Sequence, residues 1–121
     1  MVNNLLLVGL GGAAGSILRY SIQRIANTPA FPYGTFLINL GGCLLIGMFW
    51  GLITRNTMTQ GTGLLLMSGF CGGFTTFSAF ALENVKLLQN GEISAFLMYT
   101  FLSIGLGLLA VLGGINLLKL F

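Results

Sequence analysis

Four long apolar runs constrain this chain more than any other feature. They occupy roughly residues 3–26, 33–54, 61–88 and 93–118, and most of the charged residues fall at or near their ends. A membrane-crossing helix needs about 20 predominantly apolar residues, and each run meets that length. Only 6% of the 121 residues are charged, against about 25% in a soluble domain. The runs are continuous where the strands of a barrel would alternate. The reading is an all-α integral membrane protein, with four transmembrane helices forming one domain over residues 1–121 and no room for a soluble domain. The start, Met1-Val2-Asn3-Asn4, lacks the basic segment of a signal peptide, so none is expected.

The third run departs from the pattern of a plain spanning helix. Gly69, Gly72 and Gly73 remove side chains that would stiffen it. Thr75, Thr76 and Ser78 put hydroxyls where hydrocarbon is expected. Phe70, Phe74, Phe77 and Phe80 recur at helical spacing and predict one aromatic face. From Gly61 to Cys71 a helix rises about 15 Å, half of a ~30 Å bilayer core. The third helix is therefore expected to break near the midplane, at the glycines. Backbone freed at that depth is tolerated only where protein or a water-filled path satisfies it. The first half-helix would end in carbonyls around residues 69–73, which favour a cation. The second would start near Thr75 and Thr76 with N–H groups and hydroxyls, which favour an anion. A glycine kink that only lets helices cross is the plainer alternative, and the flanking hydroxyls weigh against it. The phenylalanines either pack or turn their positive ring edges toward an anion.

The other runs add fewer polar groups. Gly11 with Gly15, Gly12 with Ser16, and Gly47 with Gly51 form small-residue packing faces, and Gly105, Gly107, Gly113 and Gly114 extend the same signal into the fourth run. Arg24 is read as interfacial. Arg19 lies deeper, either snorkelling or functional. Asn39, the amide of the second run, either bonds a neighbouring helix or serves an ion, with Thr35 one turn before it. Glu83 and Lys86, three apart, are read as a surface ion pair. Tyr99 and Ser103 share a face of the fourth run, and Ser103 either bonds its own i−4 carbonyl or joins a polar line. Asn90-Gly91 marks the last turn.

Composition closes off several functions. There is no His, and Glu83 and Glu92 are the only carboxylates, so metal-hydrolase and acid–base constellations are excluded, and an enzyme is not expected. The net charge of +3 forms no basic patch, so nucleic acid is not a partner. Cys43 and Cys71 read as buried thiols. Four crossings put both termini on one side, with Arg55 and Lys119; Arg19, Arg24 and Lys86 lie toward the other. So even a balance gives little orientation, and a chain that inserts both ways would let two opposed copies pair, with their broken helices meeting at the dyad.

Together these residues closely resemble one family, the Fluc (CrcB) fluoride channels. The matching pieces are Gly12-Ala13-Ala14-Gly15-Ser16-Ile17-Leu18-Arg19-Tyr20, Gly34-Thr35-Phe36-Leu37-Ile38-Asn39, and Gly69-Phe70-Cys71-Gly72-Gly73-Phe74-Thr75-Thr76-Phe77-Ser78. The resemblance covers nearly the whole chain, in the family's order. It implies an antiparallel dual-topology homodimer in the cell membrane (the plasma or inner membrane), with two fluoride pores for passive export and fluoride resistance. It implies a structural sodium ion (Na+) at the dimer centre, held by the backbone carbonyls of Gly72 and Thr75 from each copy. The pore residues it implies are Phe77 and Phe80, whose ring edges face fluoride, and Asn39 as a donor. Thr76, Ser78 and Ser103 form a hydroxyl line, with Tyr99 near its end and Thr35 beside it. Arg19 would attract ions at a vestibule, and Glu83 would influence ion entry or exit. Ala79 and Gly107 depart from the family pattern, each standing where a hydroxyl is common, and so shorten the line.

Two other readings compete. A small multidrug-type dual-topology transporter needs a membrane-embedded carboxylate in its first span, and here the deep charge of that span is Arg19. A structural tetraspan subunit explains the glycines but not the hydroxyls at the break.

Overall fold

The computed structural model describes residues 2–117. Helix α1 spans Val2–Ala26, α2 spans Tyr33–Thr54 and the last helix spans Ile93–Leu117. Between them lies an interrupted crossing, Gln60–Gln89. It consists of α3 (Gln60–Gly63), a π-helical stretch (Leu64–Cys71), α4 (Gly72–Phe74) and, after a break, α5 (Phe77–Gln89). The last helix is therefore α6. All four crossings are long and apolar enough to span a bilayer, and the protein is a multi-pass membrane protein. The expected end of the fourth run at Leu118, and Lys119 beyond it, lie outside the described residues.

Each helix stops where the sequence offers a reason. Pro32 precedes α2, where its missing N–H costs nothing. The Thr59 hydroxyl accepts from the Thr62 N–H, 3.2 Å away, and caps α3. Gly91, at φ +74°, makes the turn after α5, a conformation open to glycine without strain.

The molecule is apolar outside and tightly packed along its helix seams. Leu5, Leu10, Ile17, Phe101 and Leu108 face outward, while the buried apolar side chains among the described residues are Ile38, Cys71, Phe74, Leu87 and Tyr99. A hydrocarbon solvent does not drive helices together, so close van der Waals approach of backbones must do so. One seam joins α1 to the first half of the broken crossing. A Cβ at Gly15 would meet the Phe70 carbonyl and, at 2.8 Å, the Phe74 nitrogen. The second seam joins α2 to α6. A Cβ at Gly47 would meet the Val111 carbonyl, and one at Gly114 would meet the Leu44 carbonyl. Gly105 and Gly113 meet nothing within 4 Å, so only part of the glycine signal in the fourth run serves packing within one chain.

The break lies at the middle of its crossing, as expected from depth, but not at the glycines. Helix persists through Gly72–Phe74. The two extended residues are Thr75 (φ −87°, ψ 157°) and Thr76 (φ −151°, ψ 120°). The expected single aromatic face is divided by this break. Phe70 and Phe74 stack on the first half, with ring centroids 5.5 Å apart, and Phe77 and Phe80 lie 5.9 Å apart on the second.

Candidate ion path at the broken helix

The break is held open by side chains at both ends. Thr75 turns back on α4: its N–H and its hydroxyl both donate to the Cys71 carbonyl, at 3.0 and 2.9 Å. The Thr76 hydroxyl accepts from the Ala79 N–H at 3.2 Å and so caps α5. Asn39, from α2, grips the Thr76 peptide groups on both sides. Its Oδ1 accepts from the Thr76 N–H at 2.9 Å, and its Nδ2 donates to the Thr76 carbonyl at 3.2 Å. In a continuous helix the Thr76 N–H would return to the Gly72 carbonyl. Asn39 diverts it and so frees that carbonyl at mid-membrane depth. Of the two readings open for Asn39, the bond to a neighbouring helix is made, yet Nδ2 carries a second N–H that Thr76 does not use.

A cavity of about 420 Å³ opens beside this break. Asn39, Thr75, Thr76, Phe77, Phe80 and Ser103 line it, with Gly72, Cys43 and Cys71. The Ser103 hydroxyl is buried without a hydrogen-bond partner. The back-bond to its i−4 carbonyl is therefore not made, and the hydroxyl is left unpaired on a residue that lines the cavity. Phe77 is 79% exposed, so apart from its contact with Phe80 its ring is left open. Ser78 does not line the cavity, but its hydroxyl lies 3.3 Å from that of Thr76.

A second polar cluster sits next to the cavity, joined to it where the Phe80 and Tyr99 rings meet at 4.9 Å. Thr35 and Tyr99 are each 0% exposed, and both are used up by Glu83. The Thr35 hydroxyl donates to Glu83 Oε1 at 2.6 Å, and the Tyr99 hydroxyl donates to Oε2 at 3.1 Å. Glu83 therefore turns inward, and the expected surface pair with Lys86 is replaced by two buried hydroxyl donors.

Arg19 lies on the other face of the break. Its Nε donates to the Gly73 carbonyl at 3.0 Å. That oxygen belongs to the last turn before the break, and a cation there satisfies a freed acceptor at a helix C-terminus. Arg19 is thus neither free nor snorkelling.

The structure brings Asn39, Thr76, Phe77, Phe80 and Ser103 to one cavity, along with Gly72 and Thr75. It groups Thr35, Glu83 and Tyr99 beside it, with Arg19 away from the cavity but linked to that group through Gln23. Sequence reasoning missed Gln23 and Asn27, whose amides both donate to the Thr35 hydroxyl oxygen. Their spacing held the signal: Arg19 and Gln23 are four apart on α1, and Asn27, just past its end, continues the same i, i+4 spacing.

Residues 6–115 match the family profile described as "CrcB-like protein, Camphor Resistance (CrcB)". The chain is 43% identical to a protein of Flavobacterium psychrophilum named "Fluoride-specific ion channel FluC", over 93% of this chain and 94% of that one. Proteins of the same name from Phocaeicola vulgatus and Rhizobium etli are 46% and 45% identical. Those matches cover 94% of this chain in both cases, and 97% and 94% of the relatives. A family profile that spans nearly the whole chain, with relatives this similar over their full length, leaves one conclusion: the chain belongs to the CrcB family.

Proposed function

We propose that this protein is a fluoride-selective channel, which lets fluoride leave the cell passively across the plasma membrane. The observation that carries the reading is the cavity at the break lined by Asn39, Thr76, Phe77, Phe80 and Ser103, the last with a buried hydroxyl that has no hydrogen-bond partner. Fluoride is small and strongly hydrated, so a path for it must replace water's donors at short range. A hydroxyl, an amide N–H and aromatic edges do this without a cation that would trap the ion. Of the cations near the break, Arg19 is engaged with the Gly73 carbonyl. Membership of a family whose relatives bear a channel's name supports transport over enzymatic chemistry. Such a channel protects a cell in acid surroundings, because the neutral acid enters and ionises inside.

The test is fluoride efflux from liposomes holding the purified protein, beside a matched chloride trial. Rapid fluoride loss without chloride loss is expected. No flux of either ion would sink the channel and favour a structural subunit.

The working unit is an antiparallel homodimer with two pores. What supports it is polarity left uncovered at membrane depth: Gly72, whose carbonyl Asn39 frees, and Ser78 are exposed on a single chain at mid-crossing, and lipid cannot satisfy a bare carbonyl there. A second, inverted copy would cover them. A reporter fused to the C-terminus should be found on both sides of the membrane, and a one-sided result would overturn the arrangement.

The Gly72 carbonyl, freed by Asn39, and that of Thr75 fit a structural sodium ion at the dyad, since hard cations take oxygen ligands. Bound there, sodium would supply positive charge that fastens the two broken helices together. Elemental analysis should find about one sodium per two chains, and sodium-free dimers would remove it from the scheme.

A further inference from the structure

We infer that Gln23 is a positioning residue that fills an acceptor site on the Thr35 hydroxyl and so holds it onto Glu83, with Arg19 and Glu83 at the two ends of one unidirectional hydrogen-bond chain. The direction follows from valence. An arginine donates only, and a carboxylate accepts only. Arg19 Nη1 approaches Gln23 Oε1 at 3.5 Å, a long contact, and a reversed amide would set its NH2 against the guanidinium. Gln23 Nε2 therefore faces Thr35 Oγ1, at 3.0 Å. Asn27 is oriented independently: its Oδ1 accepts the Thr35 N–H at 3.0 Å, which aims its Nδ2 at the same hydroxyl oxygen, 3.3 Å away. Two amide donors then fill both lone pairs of Thr35 Oγ1. Its single proton has one acceptor left, Glu83 Oε1, and the 2.6 Å separation is that of an O–H donor on a carboxylate. Tyr99 closes the other carboxylate oxygen.

The chain of bonds thus runs from a permanent cation in α1, through α2, to a carboxylate in α5. Its consequence is that the Thr35 proton is committed to Glu83 and the carboxylate is held by Tyr99, whose ring meets Phe80 of the cavity lining. This inference rests on the channel reading for its transport consequence, but its geometry does not.

The test is a double-mutant cycle with a spectroscopic arm. Gln23→Met keeps the side chain's length and removes its amide. It should slow fluoride efflux about fivefold, the effect of one lost hydrogen bond, without changing the thermal midpoint of the purified protein enough to account for it. In a Thr35→Val background the same change should do nothing further, because the residue it acts through is gone. Independent, additive losses would overturn the inference and leave Gln23 a packing residue. The spectroscopic arm needs no transport. The infrared carboxylate stretch of Glu83, identified by its absence in Glu83→Gln, should move on Gln23→Met and move no further in the double variant. An unmoved band would overturn the inference even if flux changed. A moved band with no fluoride flux in the unaltered protein would keep it and overturn the channel reading instead.

Discussion

Replacing Asn39 with leucine is expected to cut fluoride efflux by about 30-fold or more, the rate equivalent of ~2 kcal/mol. The size follows from what the amide holds. The Thr76 N–H and carbonyl are both bonded to Asn39, and leaving a buried polar group bare costs about 1–3 kcal/mol each. The leucine variant has a way out of that cost. With Oδ1 gone, the Thr76 N–H can return to the Gly72 carbonyl and continue α4 into α5. Healing the helix would close the break, re-aim Phe77 and Phe80, and withdraw the Gly72 carbonyl proposed above for sodium. Fluoride flux and sodium content should therefore fall together, while the protein stays helical by circular dichroism.

Asn39→Asp separates the two jobs of the amide. It keeps the acceptor for the Thr76 N–H, loses the donor to the Thr76 carbonyl, and adds a negative charge to the cavity. It should preserve the break yet conduct poorly, since a fixed anion repels another. Efflux at the unaltered rate from Asn39→Leu, with dimers intact, would show that the break does not depend on this clamp.

The crossings were legible because bilayer thickness imposes a length that any apolar run reveals. The expected 33–54 is the observed Tyr33–Thr54, and the third run differs from Gln60–Gln89 by one residue at each end. The depth of the break was legible for the same reason. Its position was legible only on one side: the second half starts at the threonines, as expected, but the first half runs on through Phe74. Glycine's conformational freedom pointed at residues 69–73, but Gly69 and Gly73 serve close approach instead. A Cβ on either would press into the backbone of α1, at the Val8 carbonyl (2.9 Å) for Gly69 and at Gly12 Cα (2.9 Å) for Gly73. The extended residues are threonines because an amide 37 positions earlier in the chain captures one of them, a fact with no local trace.

The same limit hid the inward turn of Glu83. Spacing along one helix proposed Lys86 as its partner, whereas Thr35 lies 48 positions away and Tyr99 lies 16 away. Local patterns read local partners well, and membrane helices keep their polar partners on other helices. Where the resemblance named residues without a geometric reason, the fold placed most of them together: Asn39, Thr76, Phe77, Phe80 and Ser103 all reach one cavity.

Phe80→Leu should reduce fluoride efflux by about tenfold or more with the fold intact. Phe80 packs against Phe77 and Tyr99, at 5.9 and 4.9 Å between ring centroids. Leucine keeps most of that apolar contact, so the stability cost is modest, ~1 kcal/mol for a swap between hydrophobic side chains of similar size. What leucine lacks is a ring edge with partial positive charge. Aromatic electrostatics of this kind are worth about 0.5–1.5 kcal/mol in ordinary protein settings, and more where water is excluded and the partner is a bare halide. Each ~1.4 kcal/mol is tenfold in rate, which sets the expected size. Phe80→Met makes the argument sharper, because methionine fills the space flexibly and carries no such edge. Both variants should elute on size exclusion as the unaltered protein does, and both should be slow. A methionine variant that passes fluoride at the unaltered rate would mean that the ring serves packing. The donors at the cavity would then reduce to Asn39 and the hydroxyls of Thr76 and Ser103.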